Sequence, residues 1–117
     1  MTDTRTRTEA IRDLNDRFRK GDTSIPGRTM MTIGVQELLN DDASKIATLI
    51  RTIRDFDGFD ANNDPLHEHD FSAFEFDGQK LFFKIDAYAL DLRHGSEDAA
   101  DTTKTVRVLT IMLAEEY

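Results

Sequence analysis

Apolar side chains recur at every third or fourth position near the start of the chain and alternate with polar ones further along it. In the first segment Ile11, Leu14 and Phe18 fall on one face of a helix. Thr6 is a suitable N-cap, and Gly21 ends the periodic pattern. The chain is therefore predicted to open on an amphipathic helix.

The next two segments predict a strand and a second helix. Residues 28–33 form a short run with β-branched ends, and Gly34 is expected to end it. Residues 40–42 then supply Asn and Asp, which cap helices well. The apolar face of the helix that follows is made by Ile46, Leu49, Ile50 and Ile53.

Residues 71–86 predict a β-hairpin. Asp77-Gly78 is typical of a two-residue type I′ turn between alternating runs. In that register Phe74 lies opposite Leu81, and both point into the core. The hairpin is the clearest local structure in the sequence.

The end of the chain fits a helix or a strand, and its β-branched content over residues 105–113 favours a strand. The element order is then α-β-α-β-β-β. We predict a single α+β domain over residues 1–117, in which a mostly antiparallel four-stranded sheet carries two helices on one face. Residues 1–24 form the N-terminal helix and its linker.

The chain has 117 residues, a net charge of −8 and no cysteine. Residues 1–54 carry ten Lys or Arg and eight Asp or Glu, whereas residues 55–117 carry five and fifteen. An acidic half repels nucleic acid and attracts basic surfaces, including those that hold nucleic acid. We therefore expect a host protein or nucleoprotein with a basic surface as the partner, and no direct binding of nucleic acid.

The same composition excludes several classes of protein. Without cysteine there are no disulfides and no thiol chemistry. No apolar run is long enough to span a bilayer, and the N-terminus has no apolar signal segment. We expect a cytoplasmic protein that is not bound to membranes, and homo-oligomerisation stays open.

Acidic residues gather in two segments that lack a helix or strand pattern. A partner-binding surface made from both is predicted, with these members: Asp55, Asp57, Asp60, Asp64, Glu68, Asp70, Asp91, Glu97 and Asp98. Such a surface would be steered electrostatically to its partner and weakened by salt. Phe56 and Phe59 are candidate apolar anchors within it. The plain alternative is a solvated surface that only keeps the protein soluble.

A metal site is the second hypothesis. His67 and His69 stand two residues apart, so in an extended chain they project to the same side, with carboxylates near by. Their spacing matches no closed metal motif. Phosphate-binding loops, dinucleotide fingerprints and nucleophile elbows are also absent from the sequence. We therefore assign no catalytic residue and no cofactor, and a small metal-dependent hydrolase remains the alternative.

Several motifs resemble a bacterial family of small proteins that is known only as a domain of unknown function. In this chain they read GRTMMTIGV, EHDF, FKID, GSED and RVLTIML, and the likeness covers residues 25–117. Members of that family look like cargo of mobile elements, often near genes that counter host defence. The resemblance implies a non-enzymatic inhibitor of a host defence nucleoprotein, of the anti-CRISPR or antirestriction type.

The family pattern also concentrates polar residues at four positions, which implies a polar cluster of His69, Asp70, Lys84 and Asp86. Such a cluster either forms part of a site or fastens the long loops to the sheet. A third hypothesis is a regulatory domain that dimerises through its last strand, if that strand lies at a sheet edge.

Overall fold

A computed structural model describes residues 6–117, which form three α-helices, four strands and a short 3-10 helix. In chain order they are α1 (Arg7–Arg19), β1 (Gly27–Met31), α2 (Ile33–Leu39), α3 (Ala43–Asp55), β2 (Phe71–Phe76), β3 (Gln79–Tyr88), β4 (Val106–Leu113) and the 3-10 helix (Ala114–Glu116). The α+β class predicted from the sequence is confirmed. The predicted element order is wrong, because α2 had not been foreseen.

The four strands form a mixed sheet in the order β1-β4-β3-β2. β2 and β3 are antiparallel, as are β3 and β4, whereas β1 runs parallel to β4. The predicted mostly antiparallel sheet is therefore wrong. Between β1 and β4 the chain passes through two helices and a hairpin, and a crossover of that length allows two neighbouring strands to run in the same direction.

The additional helix takes over the end of the predicted strand. β1 stops at Met31, and Gly34, which was expected to end a strand, lies in the first turn of α2. The cap of α2 comes from the far end of the chain: the Thr32 hydroxyl donates to Glu116 Oε1 at 2.6 Å, and the Gly34 N–H donates to Glu116 Oε2 at 3.1 Å. A cap supplied from so far along the chain leaves no local signal in the sequence.

The local predictions for α1 and the hairpin are confirmed. The Thr6 hydroxyl accepts a hydrogen bond from the Glu9 N–H at 3.1 Å, which caps α1. Asp77 and Gly78 both have positive φ, 53° and 76°, as a type I′ turn requires. Phe74 pairs with Leu81 across β2 and β3. The last segment is a strand, as its β-branched residues predict.

The hydrophobic core lies between the helices and one face of the sheet. Its buried members are Val35, Leu39, Leu49, Ile53, Phe76, Leu81, Phe83, Ile85, Leu109 and Ile111. α1 packs on the same side, since Phe18 contacts this core and Ile11 and Leu14 are buried. The opposite face of the sheet is partly covered by Tyr117, whose ring lies 5.5 Å from that of Phe82.

The two edges of the sheet are β1 and β2. Dimerisation through the last strand requires that strand to lie at a sheet edge, but β4 lies inside the sheet, between β1 and β3. Among residues 6–117, no helix combines the length and the apolar content that crossing a membrane requires.

Candidate functional site

α1 holds both acidic loops against the sheet. We call residues 56–70 the first acidic loop and residues 89–105 the second. Asn15 donates through Nδ2 to the Glu68 carbonyl of the first loop at 2.9 Å. Arg7 forms an ion pair with Asp98 of the second loop, with 2.6 Å between Nη1 and Oδ1. The two loops therefore meet along one helix.

Arg107 connects α1 and the second acidic loop to the sheet. It is fully buried on β4, where its Nε donates to Asn15 Oδ1 at 2.7 Å and its Nη2 to the Ala99 carbonyl at 2.6 Å. Burial lowers the pKa of Arg107, and the charge of Glu68 opposes that shift. Its Nη1 is buried without an acceptor among the described residues. One guanidinium thus links β4, α1 and the second acidic loop.

His69 is held by a carboxylate on one edge and an aromatic ring on one face. Its Nδ1 lies 2.8 Å and 3.0 Å from the two carboxylate oxygens of Asp16. A carboxylate can only accept, so Nδ1 carries the proton. The ring stacks on Phe59, with 4.0 Å between centroids and 5° between planes. The backbone of His69 is left-handed, with φ of 54°, a conformation that persists only where its surroundings enforce it.

Two carboxylates predicted to bind a partner instead hold the first acidic loop in shape. Asp64 is only 2% exposed, and its Oδ1 accepts the N–H groups of Glu68 and His69, each at 3.1 Å. Asp60 accepts the N–H groups of the two residues that follow Ala61. Asp64 is therefore shielded from any partner, whereas Asp60 stays exposed.

The carboxylates around Glu68 and Asp70 crowd one another. Burial raises the pKa of Glu68, and the charges of Asp70 and Asp64 raise it further, against the opposing charges of Arg7 and Arg107. Burial likewise raises the pKa of Asp70, its own N–H lowers it, and the charges of Asp64 and Asp86 raise it against the opposing charge of His69. We call these four carboxylates, Asp64, Glu68, Asp70 and Asp86, the acidic junction.

The other predicted acids are divided between local roles and open solvent. Asp91 accepts from the N–H of Arg93 and lies 2.8 Å from His94 Nδ1. Glu97 lies 3.4 Å from Lys104 Nζ. The side chains of Asp55 and Asp57 are exposed and form no hydrogen bond or ion pair with any residue in the described part of the chain.

The four residues of the polar cluster implied by the family pattern interact through Asp70. Lys84 and Asp86 form an ion pair, with 3.1 Å between Nζ and Oδ2, and the charge of Asp86 raises the pKa of Asp70. The charge of His69 lowers the pKa of Asp70, while its Nδ1 faces Asp16 of α1. His69 therefore also fastens the first acidic loop to the helix.

The metal hypothesis finds no ligand set in this geometry. His67 and His69 both have left-handed φ, 59° and 54°, so the extended backbone that would align their side chains is absent. Within residues 6–117 no three His, Asp or Glu side chains come together in a group that could hold a metal ion. His67 is exposed.

The sequence alone did not single out four residues that organise this region: Asn15, Asp16, Arg19 and Arg107. Only Arg107 leaves a signal, since a charged residue interrupts the apolar pattern on the buried face of β4. Arg19 is 4% exposed and donates through Nη1 to the Ile53 and Phe56 carbonyls.

Comparison with known proteins identifies a family. A family model described as "Protein of unknown function (DUF3768)" matches residues 31–116, well over half of the chain. No curated protein and no solved structure gives a significant match. α1, which holds both acidic loops, lies before the matched segment.

Proposed function

The chain belongs to the DUF3768 family of proteins of unknown function, and we propose that this protein acts by binding a basic protein surface rather than by catalysis. Its binding face is centred on the acidic junction. The observation that carries the proposal is a hollow at this face, which Asp70 and Asp86 line together with the exposed side chains of Leu66 and Tyr117. Burial and neighbouring carboxylates also raise the pKa values of Glu68 and Asp70.

Such crowding is unfavourable for the isolated protein. Carboxylates whose pKa values are raised destabilise the folded chain when they are ionised, so stability alone gives no reason for gathering them. Binding sites are where proteins tolerate such local destabilisation. A cationic partner would add to the positive charge of Arg7, Arg107 and Lys84 and relieve the repulsion that remains among the carboxylates.

Exposed apolar side chains lie directly beside the junction. Phe56 and Phe59 do not serve as anchors, because their rings pack edge-on against Phe83 at 5.5 Å and 6.1 Å. Leu66 and Tyr117 take that place: they are 64% and 76% exposed. Both line a hollow of about 340 Å³ together with Asp70, Lys84 and Asp86. An apolar contact rimmed by carboxylates is the composition of a protein-binding hot spot.

The partner class follows from this chemistry. Grooves that hold nucleic acid are the strongly basic surfaces most complementary to several adjacent carboxylates. The resemblance to mobile-element cargo adds the context of host defence. A CRISPR effector or a restriction enzyme, blocked at its nucleic-acid groove, is therefore the partner that we propose.

Two double variants of equal charge change test this proposal. Glu68→Gln with Asp70→Asn removes two charges from the junction, and Glu37→Gln with Asp41→Asn removes two exposed charges from the region of α2. Binding to a panel of purified, nucleic-acid-free CRISPR effectors and restriction enzymes is measured at low and high salt. We expect at least one partner whose affinity falls with salt and falls about tenfold more in the junction variant than in the control.

Three results would contradict the proposal. They are the absence of binding by every panel member, affinity that does not depend on ionic strength, and equal losses in the two double variants. A competition assay with the partner's own DNA or RNA completes the experiment, since occupation of the groove requires that each ligand displaces the other.

A further inference from the structure

β1 is an edge strand with hydrogen-bonding groups directed away from the sheet. The Pro26 carbonyl accepts from the Arg107 N–H at 3.0 Å, and the Thr32 N–H donates to the Ile111 carbonyl at 3.1 Å. Between these two hydrogen bonds the strands form a parallel ladder, in which the N–H and carbonyl groups of Arg28 and Met30 bond to β4. Alternate residues then direct their backbone groups the other way.

The outward groups belong to Gly27, Thr29 and Met31. One of them has a partner in the described structure, because Gln36 Nε2 donates to the Met31 carbonyl at 2.8 Å. The N–H and carbonyl groups of Gly27 and Thr29 remain directed outward, and both residues are exposed. β1 therefore offers a short row of donors and acceptors to an additional strand.

A cleft of about 440 Å³ runs beside this edge, on the helix side of the sheet. Its apolar wall includes Phe18, Ile25, Ile50, Ile53 and Leu109, and Gly27 and Thr29 form its rim. A strand added to β1 would direct every second side chain to this side of the sheet. The cleft is large enough to take an apolar side chain from such a strand.

Arg19, Asp22 and Arg54 are the charged residues that line the cleft; Arg19 is paired with Asp16 and Asp22 with Arg17, so the available charge is that of Arg54. Arg54 lines it, and its guanidinium would lie 3.0 Å from a Cβ atom placed on Gly21 at the end of α1. Within residues 6–117 Arg54 forms no ion pair. Arg19 also lines the cleft, and its Nε is buried without an acceptor in the described residues. A ligand with a carboxylate would therefore find complementary charge here.

We propose that the β1 edge and its cleft bind an extended segment of another protein, which adds a strand to the sheet and places an apolar side chain next to an acidic one in the cleft. This surface is separate from the acidic junction: β1 and β2 lie at opposite edges of the sheet, and the first acidic loop leads into β2.

A second copy of this chain suits the edge less well. Each copy carries a net charge of −8, so two copies repel one another at long range. An acidic peptide instead needs only the local positive charge of Arg54. Self-association through β1 is nevertheless an outcome that the experiment registers.

The probe is a displayed library of random decapeptides, selected on the immobilised full-length protein. We expect the selected peptides to share an apolar residue with Asp or Glu two positions away, so that both side chains face the cleft. Amide NMR spectra recorded with a selected synthetic peptide should show the largest changes at Gly27, Thr29 and Met31.

Thr29→Pro removes an outward N–H and adds a ring that obstructs strand addition. Proline is tolerated at such an edge position, so the thermal midpoint should stay within a few degrees while peptide binding falls at least tenfold. Arg54→Gln should also weaken binding, about fivefold, whereas Arg51→Gln on the same helix should leave it unchanged.

Four results would overturn the proposal. They are a library that yields no binder, selected peptides that shift signals elsewhere, a folded Thr29→Pro variant that binds as well as the original chain, and a mass by light scattering that doubles with concentration in the original chain but not in that variant. The last result would assign the edge to a second copy of the chain.

Discussion

Arg107 stands at a position in β4 where the neighbouring residues on the same face, Leu109 and Ile111, are apolar and buried. Its guanidinium is tolerated there because Asn15 and the Ala99 carbonyl accept two of its N–H groups. Buried polar groups of this kind stabilise a fold only while their partners are present. Arg107 therefore supports the contacts of α1 with both acidic loops, beside the Arg7–Asp98 and Asp16–His69 pairs.

Arg107→Ala should lower the free energy of unfolding by about 3 kcal/mol, because it leaves Asn15 Oδ1 and a buried carbonyl without donors and creates a cavity. Arg28→Ala on neighbouring β1 changes an exposed residue and should cost about 0.5 kcal/mol or less. Urea unfolding of both variants measures the difference. Equal losses in the two would contradict the role assigned to Arg107.

The elements of this fold differ in how far local sequence determines them. α1 and the hairpin are predictable from the sequence, because their caps and turn residues lie within or beside them: Thr6 for the helix, Asp77 and Gly78 for the hairpin. α2 is seven residues long and its N-cap residue, Thr32, makes no side-chain cap to its own helix. Its capping carboxylate is that of Glu116, so this cap forms only when the end of the chain packs beside α2.

Glu116 should therefore stabilise the protein in a pH-dependent way. Hydrogen bonds from the Thr32 hydroxyl and from the N–H groups of Leu113 and Gly34 lower the pKa of Glu116 below its ordinary value of 4.5. A lowered pKa in the folded state stabilises above the ordinary value, and this contribution is lost as the pH falls through the lowered pKa.

Glu116→Gln should thus lower the thermal midpoint at pH 7, and the difference from the original chain should disappear in acid, below the lowered pKa. Glu115→Gln, at the neighbouring exposed position, is the matched control and should change little. Thermal unfolding followed from pH 2 to pH 7 tests this. A deficit that persists unchanged at low pH would show that the carboxylate charge is not what caps α2.

At the scale of the whole molecule, the sequence predicts the class and the hairpin but not the direction of β1 or the place where the acidic loops meet. Charge counting places Glu68 and Asp70 in the acidic half of the chain. It could not distinguish Asp64, which its own loop uses, from Asp57, which is exposed. That distinction depends on contacts with α1 and β4, which are far away in sequence.

Burial and mutual repulsion at Glu68 and Asp70 outweigh the opposing charges of Arg7, Arg107 and His69, and titration of the junction's carboxyl groups by NMR tests this account most directly. We predict midpoints for Glu68 and Asp70 above their ordinary values of 4.5 and 3.8. Their ionised forms would then destabilise the fold at neutral pH, and that destabilisation would be relieved as the pH falls through the raised midpoints. Asp70→Asn should move the Glu68 midpoint back towards its ordinary value, whereas Glu37→Gln should leave it in place. Midpoints at or below the ordinary values would mean that arginine and lysine neighbours already neutralise the junction, and would contradict the proposed binding face.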